Sequence, residues 1–110
     1  MVINMKLDTP LACNMNVFTP QQREGHVQTT RELFQKVQNI QEAENGFEFI
    51  LPNGLDIIKI GEFITNERRC CPFLNFTLTI ETDPKPITLL LSGPEGTKEF
   101  LREEFNEAFA

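Results

Sequence analysis

Residues 74–81, Leu74-Asn75-Phe76-Thr77-Leu78-Thr79-Ile80-Glu81, alternate apolar and polar side chains without a break. That period of two marks a half-buried strand. Asp83-Pro84-Lys85-Pro86 then turns the chain, and Ile87-Thr88-Leu89-Leu90-Leu91 returns as a more deeply buried strand. Upstream, Phe47, Phe49 and Leu51 repeat the same alternation after Asn45-Gly46. Asn-Gly is a strong hairpin signal, because a type I′ turn needs positive φ at both central residues. A first hairpin is therefore expected across residues 37–51, its turn centred on Asn45-Gly46. Extension of the preceding helix through 37–44 is the competing reading.

Three segments switch to the helical period. Thr19-Pro20-Gln21-Gln22 is a helix start: Thr19 suits the N-cap, Pro20 the first position, and Gln22 can reach back as in a capping box. This helix is expected to run to about Lys36, burying Val27, Leu33 and Phe34. A second helix, with Asn53 as its cap and Asp56 in its first turn, carries Leu55, Ile57, Ile58, Ile60, Phe63 and Ile64. It is expected to be central and to end by Cys71, since the residue before Pro72 disfavours helical ψ. The last helix follows Gly93-Pro94-Glu95-Gly96 and presents Phe100, Leu101, Phe105, Ala108 and Phe109. Gly93–Lys98 lacks the full pattern of a phosphate loop.

The order is α-ββ-α-ββ-α. It predicts an α+β fold with one antiparallel sheet of about four strands and helices on one face. Phe49, Ile60, Ile64, Phe76, Leu78, Leu89, Leu91, Leu101 and Phe105 share the phases expected of one core. A chain of 110 residues makes this a single domain. Residues 1–10 are expected to form a loosely ordered N-terminal arm, and 11–18 a strand or an ordered arm.

The net charge of −6 and the scattered Lys and Arg argue against nucleic acid and an anionic membrane surface as partners. Met1–Asp8 has no basic start followed by an apolar run, so no signal peptide is expected. The chain is read as cytoplasmic, its three cysteines reduced and not a disulfide scaffold. An exposed sheet edge or the final helix offers a route to a homodimer.

The densest chemistry is Glu67-Arg68-Arg69-Cys70-Cys71-Pro72-Phe73, with Cys13 far upstream. At a helix C-terminus the backbone field raises a thiol pKa. Arg68 and Arg69 oppose that effect if they fold back over the sulfurs. A soft divalent metal ion takes two or three thiolates. Cys70 and Cys71 are the primary donors for such an ion, Cys13 the third if its segment crosses the helix end, and His26, the only histidine, a candidate fourth. The usual paired zinc spacing is absent. A second reading makes the cysteines small buried hydrophobes of a small-ligand or protein-interaction module. A third, a cysteine nucleophile, lacks a base other than His26, and the chain is read as more a binder than an enzyme. Glu67, three and four residues before the pair, is expected to pair with a nearby Arg. His26, in Glu24-Gly25-His26, is expected to be exposed.

The stretch from Glu67 to Leu74, followed by a strand and by Leu91-Ser92-Gly93-Pro94-Glu95-Gly96, resembles a family of small bacterial proteins without an assigned activity. Its members combine a Glu-Arg-x-Cys-Cys-Pro-Phe-Leu motif with a downstream Gly-Pro turn. Gly46-Phe47-Glu48-Phe49 and a cysteine shortly before the first helix, here Cys13, fit as well. The resemblance spans about residues 11–105. It implies joint use of Cys13, Cys70 and Cys71, and no particular reaction.

Overall fold

A computed structural model describes residues 11–109, so the expectation of an N-terminal arm over 1–10 lies outside the described residues. The fold is α+β. A short 3₁₀ turn, Met15–Val17, precedes helix α1, Pro20–Phe34. Strands β1 (Asn39–Ala43) and β2 (Gly46–Leu51) lead into helix α2, Ile57–Cys70. Strands β3 (Asn75–Thr79) and β4 (Ile87–Ser92) are followed by α3 (Thr97–Glu104) and the single turn α4 (Asn106–Phe109). The strands form one antiparallel sheet in the order β1-β2-β4-β3.

Register explains the core. Phe47 faces Leu91, Phe49 faces Leu89 and Leu51 faces Ile87. Alternation sends all six to one face, and all six are buried. Ile60 and Phe63 of α2, Leu33 and Phe34 of α1, and Leu101 of α3 close over them. Of the expected core set, Ile64, Phe76 and Leu78 are only partly buried against the cluster. The last two lie on β3, the edge strand of the sheet among the described residues, with β4 as its one neighbour there.

Local chemistry sets the boundaries. The reciprocal Thr19–Gln22 capping box forms, with Pro20 at the first helical position. Helix α1 ends at Phe34, two residues before the expected Lys36. Asp56, and not Asn53, caps α2, accepting from the Ile58 N–H at 2.9 Å. Asn53 instead donates to the Lys85 carbonyl across the loop.

The first hairpin forms, with its turn shifted by one residue. Ala43 pairs with Gly46, so Glu44 and Asn45 are the loop residues, and Asn45 alone of them has positive φ, 53°. That is not a type I′ turn. Gly46 is required for a different reason: a Cβ there would collide with the Leu91 carbonyl of β4. The last helix is also broken. Phe105 leaves helical geometry at φ −118°, ψ 40°, and its ring stacks on Phe34 with centroids 4.2 Å apart.

Candidate functional site

Helix α2 delivers three side chains to one point. Glu67 and Cys70 lie one turn apart on the same face, both buried. Cys71 continues that face because the chain leaves the helix there, at φ −127°, ψ 70°, before Pro72. A regular helix would rotate neighbouring side chains about 100° apart. Here the Cys70 and Cys71 sulfurs lie 3.8 Å from each other.

The segment before α1 supplies the third sulfur. The Asn14 N–H donates to the Cys70 carbonyl at 2.7 Å, bridging the open end of α2. Arg69 donates to the Val17 carbonyl at 2.9 Å and lies over the Phe18 ring. Arg69 therefore pins this segment and does not shield the sulfurs; Arg68 is exposed. So held, Cys13 reaches Cys71, and the two form a disulfide. This corrects the expectation of three reduced thiols. Cys70 is the free, buried thiol beside that bond.

Glu67 is the hub. Its Oε2 lies 3.3 Å from Cys71 Sγ and 3.8 Å from Cys13 Sγ, and its Oε1 lies 3.8 Å from Cys70 Sγ. Ligand atoms of Cys13, Glu67, Cys70 and Cys71 all fall within 4.8 Å of one another. The disulfide sulfurs carry no S–H, so their carboxylate contacts become hydrogen bonds only in the dithiol state. The expected Glu67–Arg pair does not form. Glu67 Oε1 instead meets His26 Nε2 at 2.8 Å, with both residues almost fully buried.

His26 is thus buried, not exposed, and it is not beside the sulfurs: it reaches them only through Glu67. A spacing signal for this existed. His26, Thr30, Leu33 and Phe34 fall at i, i+4, i+7 and i+8, the inward face of α1, whereas Val27, expected inside, is 41% exposed. The fourth potential ligand beside the three sulfurs is therefore Glu67.

Burial first, and then the Glu67 carboxylate, push the Cys70 thiol up to about 12. Cys70 rests as a thiol, which disfavours the nucleophile reading. Burial also raises the Glu104 carboxyl, with Glu67 adding to the effect and His26 opposing it. Glu104 approaches the cluster from α3, its Oε2 3.5 Å from Cys13 Sγ. Among the described residues no helix is long and apolar enough to cross a membrane. Comparisons with protein-family models, with curated proteins and with solved structures each find no match.

Proposed function

We propose that the protein binds a soft metal ion through the thiolates of Cys13, Cys70 and Cys71, with the Glu67 carboxylate as the fourth donor. The observation that carries this reading is the convergence of three sulfurs and one carboxylate within 4.8 Å, all but Cys13 buried. Metal–sulfur bonds of about 2.3 Å hold donors up to about 4.6 Å apart on one ion, so the widest pair has only to close slightly. Thiolates select soft ions over magnesium or calcium.

The Cys13–Cys71 disulfide is the closed form of this site. A dithiol reductant opens it, and the ion then replaces the S–H protons, which are released. A reducing compartment such as a bacterial cytoplasm would keep the site open. The raised Cys70 pKa opposes binding near neutral pH, because the ion must displace a tightly held proton, so affinity should rise with pH.

Cadmium titration tests the reading. Dithiol-reduced protein is expected to take up one Cd²⁺ per chain, with a thiolate-to-metal absorption band and proton release. The oxidised protein should bind far more weakly. Cys71→Ser should weaken binding much more than His26→Ala, since the histidine only orients Glu67. Equal binding by oxidised and reduced protein would overturn the proposal.

The second reading, structural cysteines in a small-ligand module, is favoured by the disulfide itself, which ties the segment before α1 to the end of α2. It expects reduction to loosen that segment without creating an ion site.

A further inference from the structure

A cavity of about 290 Å³ lies behind the two carboxylates that touch the sulfur cluster. Val27, Phe34, Phe105 and Ala108 give it apolar walls. Glu67 and Glu104 line it as well, and both touch Cys13 Sγ, at 3.8 and 3.5 Å. The cavity and the thiol cluster are therefore neighbours across a single carboxylate layer. Glu67, Glu104 and Glu107 line this space with one guanidinium, Arg31, so among the described residues its carboxylates outnumber its fixed cation. His26 and Thr30, one turn apart on α1, also line it, and His26 Nδ1 and Thr30 Oγ1 are buried polar atoms without a hydrogen-bond partner among the described residues. Such atoms are uncommon in finished cores and call for a partner.

A bare ion held by the sulfurs would leave this cavity unused. We infer that the site takes soft-metal cations carrying one organic substituent, with the metal on the sulfurs and the substituent, in place of the Glu67 carboxylate as fourth group, passing between Glu67 and Glu104 into the cavity. This inference rests on the metal-thiolate reading above. The size fits: a cavity of roughly 150 Å³ already accommodates benzene. The charge fits too, since a monoorgano-metal ion is a cation with an apolar body. A hydrogen-bonding group on the substituent would meet His26 Nδ1 and Thr30 Oγ1.

The chemistry balances without an oxidant. A dithiol first reduces the Cys13–Cys71 disulfide and leaves as its own disulfide. Each metal–sulfur bond then replaces one S–H, the proton passes to solvent, and the metal–carbon bond stays intact.

The test compares methylmercuric and phenylmercuric ions on the reduced protein, each in competition with the same small thiol. That competition cancels the intrinsic thiol affinity of each ion. The phenyl species is expected to be favoured at least tenfold over the methyl species. Val27→Trp places an indole at the cavity mouth, at a residue exposed enough to tolerate it. It should abolish the preference and leave methylmercuric binding within about twofold, consistent with a steric effect remote from the sulfurs. Ala108→Trp, from the opposite wall, should do the same. If methylmercuric ion binds but phenyl shows no preference, or the preference survives both tryptophans, the cavity inference is wrong and the thiolate site stands. If neither ion outcompetes the small thiol, the metal-thiolate reading fails and this inference falls with it.

Discussion

Glu67→Ala should be among the most damaging single truncations outside the apolar core. The carboxylate is 2% exposed and bonded to His26, itself 4% exposed. His26 Nδ1 already has no partner among the described residues, so the truncation strands both ring nitrogens in the interior. An unsatisfied buried polar group costs about 1–3 kcal/mol, and losing the buried methylene adds about 0.8 kcal/mol. Together they give about 3 kcal/mol, the lower end of the roughly 3–5 kcal/mol for removing one partner of a buried pair. For a domain of this size that is a fall in Tm of about 12 °C, at roughly 4 °C per kcal/mol. Glu67→Gln keeps the volume and an acceptor for His26, and should cost only about 1 kcal/mol. The chain has no Trp or Tyr, so urea unfolding is followed by circular dichroism, on oxidised protein throughout. A double-mutant cycle with His26→Ala should show coupling above about 0.5 kcal/mol. A Glu67→Ala loss below about 0.5 kcal/mol, or zero coupling, would refute the hub role of this carboxylate.

Other outcomes follow from the same geometry. The Cys70 thiol is held above its ordinary value, at about 12. The folded state thus retains a proton that the unfolded chain gives up, and stability should fall as pH rises from the ordinary thiol range towards that value. The urea midpoint should drop more steeply above about pH 9 in wild type than in Cys70→Ala; parallel curves would contradict the burial of this thiol. Leu89→Ala should cost about 2–5 kcal/mol in the same unfolding assay, and Phe76→Ala, on the half-covered edge strand, less than Leu89→Ala; the reverse order would contradict the register. Gly46→Ala forces a Cβ onto the Leu91 carbonyl and should cost about 1–3 kcal/mol, visible as loss of amide protection across β2 and β4.

Local signals carried much of the fold. The Thr19–Gln22 box, the alternation of β3 and the Pro72 break each act within a few residues, and each appears where the pattern put it. What the pattern misplaced depends on distant partners. The turn at Glu44-Asn45 slipped by one residue because Gly46 is needed against β4. The last helix breaks at Phe105, whose ring stacks on Phe34 seventy-one positions earlier (105 − 34). The site divides along the same line. Cys70 and Cys71 announce themselves by adjacency, and the shared face of Glu67 follows from helical spacing. Nothing local specifies that Cys13 bonds Cys71 across 58 residues, or that His26 satisfies Glu67 across 41. A histidine in a polar run looks exposed until the inward face of α1 is traced through Thr30, Leu33 and Phe34.

X-ray absorption at the metal edge, on reduced protein loaded with one equivalent of Cd²⁺, counts the donors around the ion and bears most directly on the metal site. Three sulfurs and one or two oxygens, with one sulfur lost in Cys13→Ser, are predicted from the convergence of Cys13, Cys70, Cys71 and Glu67. A shell of oxygen and nitrogen with at most one sulfur would contradict it.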